Sequence, residues 1–294
     1  MTIPEAASPE AWARRTGGGA RVLLRRVVPR PLRRALAWAD GRLEQGAQQA
    51  FERWYGIETS EHVYQDELGQ EAEGRVFYEA MAWLPLRRAL RALKPGPADV
   101  LADLGSGKGQ ALVVAGRLRL KRVIGVELAE DLTRVARDNV KKARPRMRAQ
   151  TIEAVTADAL TWAIPDDLSI VFMYCPFVGE TFDAAIARLI ASYDAKPRPL
   201  SIVYAFPWEH NRLLATGRVQ VVDVHPGQWP AKPWWPWSGW VMPTYRIVPA
   251  GAPRAAHRRR PRGPLARRAL SRWSAPNDQR FALFRPGVGL IDEI

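Results

Sequence analysis

Three glycines alternate with other residues in Val100-Leu-Ala-Asp103-Leu-Gly105-Ser106-Gly107-Lys108-Gly109-Gln110, directly after a run apolar enough to be a buried strand. A strand that feeds glycines into a turn opening a helix brings backbone N–H groups up to a ligand that side chains would hold away. Two phosphate-binding readings of this turn fail on specific residues. A dinucleotide fingerprint needs a third glycine at position 110, where Gln110 stands. An NTPase phosphate loop needs Ser or Thr after Lys108 and a glycine at 102, where Gly109 and Ala102 stand. Asp103, two residues before the first glycine, would repel a pyrophosphate and attract a cation. The pattern therefore specifies a positively charged ligand.

Further elements succeed it in chain order. Val123-Ile-Gly-Val-Glu127 is a second buried strand ending in an acid, 18 residues after Gly109. Its carboxylate can accept both hydroxyls of a ribose, or cap a helix. Asp158 falls just past a third strand. Phe172-Met-Tyr174-Cys175-Pro176-Phe177 ends a fourth, and ligands of open α/β sheets sit beyond the carboxyl ends of the strands. Phe206-Pro207-Trp208-Glu209-His210 comes after a fifth, where Glu209 or His210 is placed to act as a general base or simply to start a helix.

Asp103-Leu-Gly-Ser-Gly-Lys-Gly-Gln110 followed by Gly125-Val-Glu127 resembles the class I S-adenosylmethionine-dependent methyltransferases, and within them the seven-strand, non-SET histone lysine methyltransferases and related bacterial proteins. The similarity covers roughly residues 58–215. It implies S-adenosylmethionine as cofactor, held by Tyr78, Asp103, Gly105, Ser106, Gly107, Gly109, Glu127, Asp158 and Tyr174. In this family an acid placed like Asp158, or a neighbouring amide, meets the adenine amine; an N-cap role is the alternative. Residues before strand one, here Tyr78 and Glu79, close over the methionine end. Methyl transfer is implied near Tyr174, Cys175 and Phe177, with His210 as a candidate base. Many members carry Asn or Asp before the proline at this place. Here Cys175 replaces it, either as a covalent nucleophile or as a small buried strand residue. The motifs specify the cofactor and leave the acceptor open: a protein side chain or small molecule, or RNA or DNA reached through the basic flanks. A protein that binds the cofactor without catalysis is a third reading, prompted by Cys175.

The elements that must position these residues are legible as alternating β-branched runs and helical stretches. Strands are expected at Asp99–Leu104, Arg122–Leu128, Thr151–Thr156, Ser169–Cys175 and Leu200–Ala205, with helices at Ala111–Leu120, Asp131–Ala143, Thr181–Ala191 and Glu209–Thr216. This is an α/β, Rossmann-like pattern: a mostly parallel seven-strand sheet with helices on both faces. Arg218–Val224 and Val241–Val248 complete the sheet. A Trp/Pro-rich insert and no helix joins them, so an antiparallel final pair is expected. That insert, with five tryptophans between Trp229 and Trp240, hangs on the substrate side if strand six is parallel to the others, or packs on the protein's own surface. Upstream, apolar residues recur at helical spacing from Val63 to Leu93.

Composition limits the rest. The chain has 294 residues, 47% of them hydrophobic, one cysteine and a formal net charge of +14. One cysteine excludes an internal disulfide, and four scattered histidines give no zinc spacing. No signal core or membrane-spanning run is visible, which makes the cytoplasm the default location. Residues 1–40 carry +5, residues 224–277 carry +10 and residues 278–294 carry −1, so residues 41–223 balance to zero. The expected organisation is a basic N-terminal region (1–57), disordered over its first 20 residues and then helical; a methyltransferase domain (58–249); and a basic, mostly disordered tail (250–294). The arginines of the flanks suit an acidic partner, nucleic acid or an acidic lipid surface, or are simply solvated.

Overall fold

The structure, a computed structural model, describes residues 29–60, 81–226 and 241–252. Tyr78 and Glu79, the helical pattern before Met81, the tryptophan insert, the first 28 residues and the tail beyond residue 252 lie outside the described residues. The chain divides into two compact units. Of one, residues 29–46 are described and are helical from Arg30; the other, Ala47–Ala275, carries the sheet.

Helix α1 (Arg30–Tyr55) belongs to the sheet unit from Ala47 onward. After it come α2 (Trp83–Ala92), β1 (Val100–Leu104), α3 (Gln110–Gly116), β2 (Arg122–Glu127), α4 (Glu130–Ala143), β3 (Thr151–Thr156), β4 (Leu168–Tyr174), α5 (Gly179–Ala195), β5 (Ser201–Ala205), α6 (His210–Ala215), β6 (Val219–Pro226) and β7 (Val241–Ile247). They form a seven-strand sheet in the order β3-β2-β1-β4-β5-β7-β6. The first five strands are parallel, and β7 runs antiparallel to both β5 and β6. The expected α/β architecture with an antiparallel end is therefore present.

Burial depends on strand position. Every residue of β1 and β5 is buried, because helices cover both faces there. Edge strand β3 alternates instead, with Thr151, Glu153 and Thr156 exposed. Leu101, Val123, Ile170, Phe172 and Val203 pack on one face against α1, α2, α3 and α4, where Phe51, Leu86, Leu90, Leu112 and Ala136 meet them. Ala102, Ile124, Val171, Ile202 and Tyr245 pack on the other face against Phe182, Ile186, Leu189 and Leu213 of α5 and α6.

Several boundaries differ from the sequence expectation. The first crossover helix stops at Gly116, four residues short of Leu120. Arg148 and Ala149 donate their N–H groups to the Gly116 carbonyl at 2.7 and 3.0 Å, taking the acceptor that residue 120 would need. A Cβ at Gly116 would also lie 2.6 Å from Ile152 Cδ1, so this helix end packs directly on β3. Helix α5 is longer than expected, Gly179–Ala195 in place of Thr181–Ala191. Ala82 is extended (ψ 118°), so α2 begins at Trp83 although apolar spacing runs through Met81.

Glycines whose φ is positive test this packing differentially. Gly109 (φ +80°) would place a Cβ 2.9 Å from Ala136 Cβ and 3.2 Å from Ala136 Cα on α4, whereas Gly217 (φ +66°) opens on empty space. Gly217→Ala should cost about 1 kcal/mol, the left-handed penalty alone. Gly109→Ala should cost about 3 kcal/mol, since backbone must also move. Urea denaturation of the two variants checks this, and equal losses would contradict the packing.

Candidate functional site

The glycine turn is pinned before any ligand is considered. Gly105 and Ser106 donate their N–H groups to the Val126 carbonyl at 2.8 and 3.1 Å, and Gly109 donates to the Ser106 carbonyl at 2.9 Å. Gly105, Gly107 and Gly109 have φ of +79°, +49° and +80°, which only glycine adopts cheaply. A Cβ on Gly105 would lie 2.7 Å from Pro176 Cβ, so the segment after β4 rests on the turn itself. On β2, a Cβ on Gly125 would meet Ser106 Oγ and Leu112 Cδ1 at 2.7 Å. Ser106 Oγ is buried without a hydrogen-bond partner among the described residues.

Strand register places the acids. Asp103 lies opposite Gly125 on β2 and Phe172 on β4. Glu127 and Tyr174 stand two residues further along those neighbours, so all three side chains share one face at the carboxyl edge of adjacent parallel strands. Glu127 Oε2 accepts from Gly107 N at 2.8 Å and Oε1 from Ala129 N at 3.0 Å, which fixes the carboxylate at the mouth of the turn. Asp103 is only 3% exposed, and no donor among the described residues reaches it. Its burial, and secondarily the charge of Glu127, push its pKa well above the usual aspartate value. A carboxyl group desolvated in this way gains most from a bound cation.

Asp158 forms a tight turn after β3: its Oδ1 accepts from Leu160 N at 2.8 Å and its carbonyl from Thr161 and Trp162 N at 2.9 and 2.8 Å. No helix follows before β4, so Asp158 closes a local turn and is not an N-cap; the turn holds the carboxylate in a fixed orientation beside the Glu127 edge, Thr156 pairing with Glu127 across β2 and β3.

Beyond β4 and β5 the backbone is strained at equivalent places. Cys175 (φ +43°) and Phe206 (φ +47°) each follow the last residue of their strand, and both adopt a conformation that non-glycine residues seldom take. Cys175 also precedes a proline, which disfavours it further. Tyr174 and Phe206 face each other with ring centroids 5.5 Å apart, forming an aromatic wall at the carboxyl edge. Cys175 and Phe177 turn the other way, each 5% exposed, into the core packed on α5. Burial pushes the Cys175 thiol up to about 12, the Tyr204 hydroxyl opposing that by a hydrogen bond. Such a thiol holds almost no thiolate, which is the behaviour of a small buried packing residue, here one position past the end of β4 and not within it.

Glu209 and His210 are engaged within the protein. Glu209 Oε1 accepts from Gly179 N at 3.0 Å, capping α5, and Oε2 pairs with Arg212 Nε at 3.3 Å. His210 is 3% exposed, its Nδ1 sharing a 2.5 Å hydrogen bond with the Tyr245 hydroxyl. The structure does not bring this imidazole to the Tyr174–Phe206 wall. Among the described residues no group of His, Cys, Asp or Glu could hold a metal ion, and no helix is long and apolar enough to cross a membrane.

Four contributors escaped the sequence reading. Phe206 is one half of the aromatic wall. Asn139 of α4 donates from Nδ2 to the Lys108 carbonyl at 2.9 Å and to the Glu58 carbonyl at 3.0 Å, while Glu58 N donates back to its Oδ1 at 3.1 Å. Gln110 Nε2 donates to Gln48 Oε1 at 2.9 Å, and Gln48 Nε2 to Thr59 Oγ1 at 3.1 Å. These bonds tie the end of α1 and the segment after it to the glycine turn. Asn139 had a visible signal: it is the one amide on the buried stripe Leu132, Thr133, Ala136, Val140, Ala143.

No protein-family model and no curated protein matches the chain. Among solved structures it is similar to an S-adenosylmethionine-dependent methyltransferase from Corynebacterium glutamicum (15% identity, 55% of this chain and 87% of that one, TM-score 0.41). It is also similar to an RNA methyltransferase from Salinibacter ruber in complex with S-adenosyl-L-homocysteine (22%, 55% and 90%, 0.37). A third is magnesium protoporphyrin IX methyltransferase from Synechocystis with bound S-adenosylmethionine (12%, 56% and 76%, 0.41). At such identities and scores, what the site does must be derived from its own geometry.

Two outcomes are expected here. Because folding raises the Asp103 pKa, the ligand-free protein loses stability as pH rises from about 4 through that raised value. Asp103→Asn removes the cost, so near neutral pH it should melt about 2–4 °C higher for each kcal/mol recovered, and its pH profile should flatten. A variant less stable than the parent at pH 7 would contradict the assignment. For Cys175, alkylation by iodoacetamide at pH 8 should run about a thousandfold slower in the folded protein than after denaturation, in line with its thiolate fraction. Rapid labelling of folded protein would restore the nucleophile reading.

Proposed function

We propose that the chain is an S-adenosylmethionine-dependent methyltransferase of the class I fold. One observation carries this: a buried, donor-poor Asp103 carboxylate lies directly beneath a turn of positive-φ glycines, with Glu127 fixed at its mouth. An anionic phosphate would meet two carboxylates there. A ligand bearing an ammonium, a sulfonium and a ribose matches the site group by group.

The residues present fit that cofactor. Asp103 and the N–H groups of the glycine turn would hold its amino-acid end, Glu127 the ribose hydroxyls, and the turn at Asp158 the adenine amine, while Ser106, Gly105 and Gly109 shape the cradle. When bound, the cofactor would supply an electrophilic methyl group: an acceptor's lone pair bonds to the methyl carbon in line while the sulfur–methyl bond breaks and the neutral thioether leaves. The chain's own contribution is positional: Tyr174 and Phe206 wall the acceptor, exclude water and offer π-faces to a nitrogen that gains positive charge. With Cys175 at the place of the family's Asn or Asp, and its side chain turned into the core, an acceptor nitrogen finds its hydrogen bond at the backbone carbonyls of Tyr174 or Pro176. No strong base is required where the acceptor enters unprotonated.

A protein side chain or a small molecule is the favoured acceptor. The run Asp103–Gln110 with Gly125–Glu127 bears on the cofactor and does not choose between these two. The direction of β6 supports either: β6 and β5 are both antiparallel to β7 and hence parallel to one another, so the insert between Pro226 and Val241 leaves and returns at the carboxyl edge.

Titration calorimetry with S-adenosylmethionine should give a single site. Glu127→Gln, which sets an amide against two backbone donors, should weaken binding at least about 30-fold. Affinity should rise with pH through the raised Asp103 pKa and then level off. Absence of binding by the parent protein, or unchanged binding by Glu127→Gln, would falsify the proposal. Incubating the enzyme and methyl-labelled cofactor with a cell lysate, then sizing the labelled product, separates protein, nucleic acid and small-molecule acceptors. Binding without transfer into any fraction would leave a cofactor-binding protein that does not catalyse.

A further inference from the structure

Helices that come after parallel strands end at the amino edge of the sheet, opposite the glycine turn. The end of α1 runs beside α3 from one edge to the other: Gln48 meets Gln110 at the start of α3, by the glycine turn, and Tyr55 lies under Arg117 just past the end of α3, at the amino edge, the guanidinium 5.8 Å from the ring centroid. The next ring, Trp54, is 64% exposed and has the Arg146 guanidinium 5.5 Å from its centroid. Arg87 and Arg91 project from α2 into the same field. Burial, then the charges of Arg117 and Arg91, lower the Arg87 pKa, and Arg117, Arg87 and Arg146 all act on the buried Tyr55. Like charges have thus converged from three separate elements. Among the described residues no carboxylate pairs with Arg53, Arg87, Arg91, Arg117 or Arg146, although most other arginines of the body are paired or bonded to carbonyls.

On α1, Ala47, Ala50 and Trp54 are exposed at spacings of three and four, an apolar strip along one side of the helix with Arg53 beside it. We propose that this face, Trp54 with its strip and the surrounding Arg53, Arg87, Arg91, Arg117 and Arg146, docks on the surface of an anionic lipid bilayer. Charge complementarity calls for an anionic partner. The apolar strip selects the bilayer among such partners, because the headgroup boundary accepts Ala methyls and an indole together with arginines. A nucleic acid offers phosphates but no apolar phase, and one face of Trp54 is already covered by Arg146, which leaves no slot for a base between two planes. An adjoining open recess lined by Pro97, Arg119, Leu120, Arg148 and Gln150 adds two arginines at the same edge.

The test is flotation of the full chain with vesicles of phosphatidylcholine alone or with about 30% phosphatidylglycerol. The parent should bind only the anionic vesicles. The triple variant Arg87→Gln, Arg117→Gln, Arg146→Gln should partition about 100-fold less, at roughly fivefold for each arginine. Trp54→Ala changes no charge and should lose about tenfold through the indole alone. Arg134→Gln, on an exposed arginine paired with Asp131 elsewhere, should bind like the parent. Thermal melts of each variant show that the fold is retained. The proposal is overturned if the parent ignores anionic vesicles, or if both patch variants bind them like the parent, which would put the attraction in the flanks. It is also overturned if the triple variant keeps vesicle binding but loses binding to single-stranded RNA.

Discussion

An aspartate that meets no donor among the described residues, buried in the sheet between β2 and β4, is the constraint on which the rest depends. Asp103 sits on β1, the strand flanked by β2 and β4, where the burial is deepest and a lone charge is most expensive. A glycine opposite it on β2 lets the turn fold down over the strand end, and a glycine in the turn lets Pro176 close against it from β4. Replacing any of these groups by an ordinary side chain would open the cradle or separate it from the carboxylate. Burial makes the ionised carboxylate costly there, a cost that a proton or a bound cation relieves.

The acceptor side is held by a different device. Cys175 and Phe206 are strained at the ends of neighbouring strands, and the strain persists because the segments after them are tied together. Glu209, after β5, caps α5, after β4. The Cys175 thiol bonds the Tyr204 hydroxyl, which in turn accepts from Glu209 N at 3.4 Å. These contacts lie on the α5 and α6 side of the sheet, where Phe206 also packs, while Tyr174 packs against the cluster of the other face; the pair meets at the carboxyl edge between them. Cys175, Glu209 and His210 look catalytic in the sequence, but their burial and bonding make them the frame, and the rings they aim are the working surface.

This division explains what the sequence could and could not disclose. Periodicity alone located all seven strands to within two residues, since buried parallel strands read as continuous β-branched runs. The glycine turn was legible too, because positive φ demands glycine. The direction in which residues after a strand turn was not. Cys175 and Phe206 leave their strands through a left-handed residue, and no composition signal marks a non-glycine in that state. Helix ends decided by tertiary bonds were equally hidden: Gly116 stops α3 because Arg148 and Ala149 claim its carbonyl from about thirty residues away.

Charge gives the sharpest case of information that a linear reading averages out. Residues 41–223 sum to zero, which suggests a body indifferent to charged partners. In three dimensions the same residues are unevenly paired. Asp103, Glu127 and Asp158 gather at the carboxyl edge, where strands end, and Arg87, Arg91, Arg117 and Arg146 at the amino edge, where helices end. Acids are present at the amino edge as well, but they are paired with neighbours: Asp167 with Lys121 and Arg122, Asp166 with Lys196, and Asp194 with Arg218. Helix C-termini favour basic residues through the carbonyls exposed there, and among the described residues the arginines around Tyr55 are left with no carboxylate partner. A zero sum therefore conceals a local excess, because charge acts through the pairs that geometry allows and not through the total.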